Sequence, residues 1–261
     1  MDLPLTEIRA PTRGNRKLEA LLEAANADRR LQAWWYMQQV NADRRDMSDH
    51  SWVHIQIAVN IALRLFRLLN RGGVEPAMVT QHGMRVRDAE VVIAAACLFH
   101  DTGMSIHRTD HEQYSLFLAA DRMPMLLEGS YEDPELTVVV SEALHAVIGH
   151  RRAGDPHTME AGIVRVADAL DMASGRSRIP FETRRPNIHS VSAAAIDAVT
   201  IEPGNEKAVQ IQIAMNNSSG LFQIDELLAT KLRGSGIEEH VEVVAEIEAE
   251  HEKRLVPVFR I

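Results

Sequence analysis

The sequence has 261 residues, enough to bury a substantial core in one large domain, or one domain with an appendage, without disulfide staples. With 28 Lys and Arg against 37 Asp and Glu, its net charge of −9 argues against non-specific binding to a nucleic-acid backbone. A single cysteine (Cys97), no apolar run of the ~20 residues that a membrane span needs, and a start (Met1-Asp-Leu-Pro-Leu-Thr6) without signal-peptide character lead us to expect a soluble protein of a reducing cytoplasm, with no membrane partner.

Residues 1–14 carry Pro4, Pro11 and Gly14 and read as an extended or poorly ordered lead-in. Lys17 to Val40 contains no Gly or Pro and places Leu18, Leu21, Leu22, Ala25, Leu31, Trp34 and Trp35 at helical spacing, which predicts one long helix or two short ones. The Trp pair belongs to the core or to a subunit interface, so a homo-oligomer stays open. A polar break at residues 41–49 ends in Ser48 and Asp49, either of which can cap the next helix. That helix carries His50 and His54 four residues apart, on one face with Ile57, Ala58, Ile61, Ala62 and Leu65. Gly72-Gly73 and Pro76 close it, and residues 74–87 read as a loop.

The stretch Val91 to Gly103 is apolar and Ala-rich until it ends in His100-Asp101-Thr-Gly103, the pattern of a buried helix that delivers polar side chains at its end. Asp88 or Glu90 can start this helix, and Gly103 is expected to take the positive φ of a helix C-terminus. An isolated His-Asp pair reads first as a C-cap in which His100 favours the negative end of the helix dipole. Beyond it, His107 and His111 are four apart, a helix runs through Ala120, and Pro124, Gly129 and Pro134 mark a connection. Glu135 to His150 reads as another apolar helix. Its His145 and His150 diverge by about 140° on an ideal helix and can share an ion only across a helix end, which Gly149 offers. After a basic loop, Thr158 can cap the helix that bears Asp168 and Asp171, three apart on one face. Among Val166, Ala167 and Ala169 an unpaired Asp168 carboxylate would be costly, so a metal or Arg partner is expected; Asp171 can orient a ligand or pair with Arg176. In the irregular basic segment that follows, Arg176 and Arg178 either hold a substrate phosphate bidentately or are solvated surface groups.

The character then changes. Val199 to Glu202, a Pro203-Gly-Asn-Glu206 turn and Ala208 to Met215 alternate apolar and polar residues, a hairpin signal. Leu221 to Ile224 reads as a third short strand and Asp225 as the cap of a helix through Leu232. Ile237, Val241, Val244, Ile247, His251 and Leu255 stripe a final acidic helix. No phosphate loop, dinucleotide fingerprint, Gly-x-Ser-x-Gly, His-Glu-x-x-His or Cys-x-x-Cys occurs, which leaves acyl transfer, metalloprotease chemistry and a zinc knot without support.

His54, then His100-Asp101, then Asp168, together with His100-Asp-Thr-Gly103, Asp110-His-Glu-Gln-Tyr-Ser115 and Arg165-Val-Ala-Asp-Ala-Leu-Asp171, resembles the HD-domain metal-dependent phosphohydrolase superfamily over most of residues 48–172. The resemblance implies a mainly α HD-domain helical bundle with a small C-terminal α+β subdomain. The expected division is a helical lead-in (1–40), a metal-binding domain (41–185) and the appendage (186–261). It implies one metal held by His54, His100, Asp101 and Asp168, with His54 fitting the family position better than His50. In two-metal members the further ligands match His111 and His150, with His145 as the alternative to His150 and Asp101 shared. The ion would be Mn, Fe, Co, Ni or Zn, one or two in number. Such a site activates water for attack on a phosphomonoester, phosphodiester or nucleotide. Asp101, His111, His150, Arg176 and Arg178 are then the catalytic candidates, and a small phosphorylated molecule such as a nucleotide is the partner. With one ion only, His111 and His150 become phosphate donors or proton-transfer groups. The alternative is a non-catalytic regulator that binds a metal or nucleotide, because Met104 stands where many members carry a Lys.

Overall fold

The computed structural model describes residue 3 and residues 6–173 and 188–247. Its helical part runs through α1 (Arg16–Ala27), α2 (Arg29–Asp43), α3 (Trp52–Arg71), a short α4 (Ala77–Thr80), α5 (Val86–Phe99), α6 (His111–Leu126), α7 (Glu135–Gly149) and α8 (Met159–Leu170). The C-terminal part adds α9 (Ile188–Ala194) and strands β1 (Ile196–Pro203), β2 (Val209–Met215) and β3 (Val241–Ile247).

The centre is α5, in which every residue from Asp88 to Phe99 is buried. Its Ala94-Ala-Ala96 run has no bulk to hold neighbours away, so α1, α3, α7 and α8 all pack against it. At its start, Asp88 is buried but fully engaged: Oδ2 accepts from the Arg85 N–H at 2.9 Å, and Oδ1 accepts from Lys17 Nζ at 2.9 Å and the Tyr131 hydroxyl at 2.8 Å. α1 and α2 are two helices because Asp28 accepts from the N–H groups of Arg30 and Leu31 and restarts the chain as an N-cap. Trp35 is fully buried and donates its indole N–H to Leu98 O at 3.0 Å, so this half of the Trp pair is core. The lead-in is extended but pinned: Ile8 is 2% exposed, its N–H donates to Asn26 Oδ1 at 2.7 Å, and Asn26 Nδ2 returns a bond to Ile8 O at 2.9 Å.

Among the described residues, α3 is long and apolar enough to cross a membrane, and 56% of that apolar window is buried inside the protein. Between α3 and α5, α4 interrupts the expected loop. Its first N–H groups, at Ala77 and Met78, donate to the buried Glu160 carboxylate at 3.1 and 2.9 Å, which substitutes for a local cap. Pro124 lies inside α6 rather than in the connection after it.

The expected hairpin is present, with Ile201 opposite Ile211, and Val209, Ile211, Ile213 and Met215 of β2 turn one buried face inward. Three other expectations for this region fail, and the first is the Asp225 cap, because Asp225 lies inside the helical stretch. Leu221 to Ile224 is helical, leading into a π-helix, Gln223–Ala229, and a last turn, Thr230–Leu232, since Gln223 is buried and donates to Ser192 Oγ at 2.7 Å. Val241 to Ile247 is not a helix but β3, which pairs parallel to β2 with Val209 opposite Val241. The rest of the proposed final helix, His251 and Leu255, lies outside the described residues.

Candidate metal centre

α5 ends at Phe99, and a 3-10 turn, Thr102–Ser105, carries the chain away, so His100 and Asp101 project from the junction. Gly103 serves this turn differently from the expectation. Its φ is not positive; instead a Cβ there would overlap His111 O and lie 2.6 Å from Ser115 N. The glycine lets α6 close onto the helix end, where Gly103 N–H donates to Ser115 Oγ at 2.8 Å and the Ser115 hydroxyl donates to His100 O at 2.7 Å. That contact seats His111, the first residue of α6.

Six buried or nearly buried side chains from five helices and their ends meet here in two groups, His54 with His100 and Asp168, and Asp101 with His111 and His150. Within each group the candidate ligand atoms lie within 4.8 Å of one another. Asp101 joins the groups: its Oδ2 lies 3.5 Å from His54 Nε2 and 3.6 Å from His100 Nε2, while its Oδ1 lies 3.0 Å from His111 Nε2 and 3.7 Å from His150 Nε2. Asp168 Oδ1 stands 3.3 Å from His54 Nε2 and 3.8 Å from His100 Nε2.

Hydrogen-bond partners fix the tautomers of three imidazoles. His54 Nδ1 faces Asp171 Oδ2 at 2.6 Å, His100 Nδ1 faces Cys97 O at 2.8 Å, and His150 Nδ1 faces Val147 O at 2.6 Å. Each Nδ1 therefore carries the proton, and each Nε2 lone pair points into the site. His54 Nε2 and His100 Nε2 then oppose each other at 3.1 Å beside two carboxylates, an arrangement that a shared cation relieves. Imidazole nitrogens and carboxylate oxygens form the mixed donor set of a divalent transition metal, so the residues fit such an ion. Burial pushes the Asp101 carboxyl up, but the charge of His100 and hydrogen bonds from His111, His150 and His54, available when these imidazoles are protonated at Nε2 and not when they ligate an ion, more than offset it and hold it well below the usual range. For Asp168 burial is likewise outweighed, chiefly by Lys231 with His100 and His54. Burial lowers His150 despite the opposing pull of Asp101, which favours the neutral, ligand form.

Asp171, expected either to orient a ligand or to pair with Arg176, has its Oδ2 against His54 Nδ1, while Arg176 lies outside the described residues. Asp171→Asn keeps the shape but removes the charge that fixes the imidazole. Metal affinity, read by competition with a chelator, is expected to fall by about 10–100-fold, and an unchanged affinity would remove this role.

His50 lies one turn outside the groups, with Nδ1 on Ser48 O at 2.7 Å and its ring 5.8 Å from that of His54, which does join one of them. His145 does not join either group: its Nε2 accepts the His157 N–H at 2.9 Å and the two rings stack, because α7 turns it away from the face that His150 reaches past Gly149. Arg176 and Arg178 lie outside the described residues.

Asp101, His111, His150 and Asp168 of these groups line a cleft of about 500 Å³ whose wall also includes Arg45, Arg108, Arg151, Arg152 and Lys231. None of these cations was singled out in the sequence. Arg45, Arg151 and Arg152 sit in polar breaks that look like ordinary surface, and Lys231 comes from the C-terminal part to bond Asp168 Oδ2. Proximity to a metal ligand 63 positions away leaves no local signature.

This constellation, an α-helical bundle whose central helix ends in a His-Asp pair facing His54 and Asp168, defines the class. The HD domain model matches residues 47–173, and the chain belongs to the HD-domain family. A protein from Methanocaldococcus jannaschii described as "Uncharacterized protein MJ1020" is 38% identical over 216 residues, covering 83% of this chain and 82% of that protein. No solved structure matches the chain.

Proposed function

We propose that the protein hydrolyses a phosphate ester of a small molecule, a nucleotide being the best fit, with water activated by one or two divalent ions. The observation that carries this reading is the Asp101 carboxylate, whose two oxygens face two separate imidazole groups on the floor of a cation-lined cleft. His54, His100, Asp101 and Asp168 would hold one ion, and His111 and His150, with Asp101 shared, a second. Bound there, a divalent ion supplies Lewis acidity, polarising a phosphoryl oxygen and bringing the pKa of water toward neutrality. The chain's own groups do the rest. Arg45, Arg108 and Arg151, with Arg152 paired to Glu226, bring positive charge to the wall of a cleft that also carries Asp46 and Glu112, and with bound ions that charge would suit an anionic ligand. Asp171 keeps His54 in the correct tautomer, and the close packing of Gly103 on α6 keeps His111 in place. A cleft of about 500 Å³ accommodates a molecule of nucleotide size.

The test is turnover of the purified chain, stripped and reloaded in turn with Mn, Co, Ni or Zn, on nitrophenyl phosphomonoesters and phosphodiesters and on nucleoside mono-, di- and triphosphates. Metal-dependent product release that a chelator abolishes is expected. No turnover with any metal and substrate would leave a binding protein in place of an enzyme.

A further inference from the structure

The C-terminal part contributes more to the cleft than a covering. Its helical stretch presents Gln223, Glu226, Leu227, Thr230 and Lys231 to the cavity, spaced at three and four residues, so one face of the stretch forms a wall of the site. Much of this wall is π-helical, a distortion found often at functional sites. At its end Lys231, whose side chain is 14% exposed, bonds Asp168 Oδ2, the oxygen turned away from His54 and His100. An ammonium has three donors, and among the described residues Asp168 is its one hydrogen-bond partner, which leaves donors for a ligand in the cleft that Lys231 lines. Its charge also acts on His150, in the second group.

The backbone of Lys231 is held as well. The buried guanidinium of Arg165, one turn before Asp168 on α8, donates through Nε to Lys231 O at 2.9 Å and through Nη2 to Thr230 O at 3.2 Å. The same guanidinium donates to Arg152 O at 3.1 Å and to Gly154 O, tying in the loop that follows His150. One further turn back, Gly162 leaves room for Ser235 O, which any Cβ there would overlap. A lysine that merely neutralised Asp168 would need neither the cleft exposure nor this anchoring of its main chain.

We propose that Lys231 binds the phosphoryl group of the ligand directly beside Asp168, so that the C-terminal α+β part completes the active site. This rests on the phosphohydrolase reading, and the experiment separates the two. Full-length wild type, Lys231→Met and Lys231→Arg are loaded with manganese and compared for bound manganese, for orthophosphate affinity by calorimetry, and for kcat and KM on whichever ester the wild type turns over. Lys231→Met is expected to keep its manganese, to bind orthophosphate at least ~10-fold more weakly, and to regain part of that affinity as Lys231→Arg. Orthophosphate affinity within twofold of wild type, a loss of manganese that accounts for the whole effect, or a wild type that binds no orthophosphate would each overturn the proposal. If Lys231→Met does not fold, reductive methylation of the wild type decides: saturating orthophosphate should protect Lys231, and undiminished labelling overturns the proposal. A wild type that binds orthophosphate through Lys231 but turns over no ester would refute the hydrolase reading while leaving Lys231 its ligand.

Discussion

Asp101→Ala is expected to empty both ion positions at once and to lower kcat/KM by about a thousandfold or more. The reason is its position between the groups: Oδ2 stands 3.5 and 3.6 Å from the imidazoles of His54 and His100, and Oδ1 stands 3.0 and 3.7 Å from those of His111 and His150. No other described carboxylate reaches both sets. Without it, imidazole lone pairs converge on the site with only Asp168 to balance a cation, so each ion would lose an anionic ligand. Metal activation is worth several kcal/mol of barrier and each ~1.4 kcal/mol is a factor of ten, which gives the thousandfold estimate. Elemental analysis of the folded variant and its residual turnover measure the two effects separately. The control is His50→Ala: His50 lines the same cleft but its Nδ1 is taken by Ser48 O, so its metal content should match wild type. An Asp101→Ala protein with undiminished metal would mean that the carboxylate is not a ligand.

What the sequence made legible follows from where physical constraints are local. The His-Asp pair at the end of a fully apolar run could be read because such a run must be a buried helix and its end must face something polar. The preferences for His54 over His50 and for His150 over His145 came from the family pattern; helical phase left His50 and His54 on one face and showed only that His145 and His150 need the break at Gly149 to reach one ion. Asp171 was expected to orient a ligand or to pair with Arg176, and its contact with His54, 117 positions away, was not nameable. Gly103 was noticed for the wrong reason: a glycine at a helix end suggests positive φ, whereas the requirement here is the close approach of α6, a tertiary contact. The reading of Val241 to Ile247 as helix failed in the same way. Val241, Val244 and Ile247 fit a helical stripe, but β2 offers Val209 to Met215 as an edge on which those residues pair in parallel, and that non-local ladder decides. Lys231 and Arg165 are also products of tertiary contact. A Lys between Thr and Leu and an Arg inside an apolar helix carry no sign that one meets Asp168 and the other collects four carbonyls from two segments.

Gly103→Ala is expected to separate the two ion positions, weakening the one at His111 and sparing the one at His54. The added Cβ would overlap His111 O and sit 2.6 Å from Ser115 N, so the first turn of α6 must move or the 3-10 turn must unwind. Neither neighbour is the flexible tip of a side chain; both are backbone, in a helix that also packs against α7. Overpacking of this kind typically costs about 1–3 kcal/mol, and the broken Gly103 N–H to Ser115 Oγ bond adds to it. A melting temperature lower by several degrees should therefore accompany the change. Displacing the α6 start moves His111 Nε2 from its place 3.0 Å from Asp101 Oδ1, while His54, His100 and Asp168 are held by α3, the end of α5 and α8. A metal titration of Gly103→Ala should then retain one tight site and show the other weakened by tenfold or more, with kcat falling further than the stability loss explains. Two sites of wild-type affinity, or the loss of both together, would show that the approach of α6 does not set the position of His111.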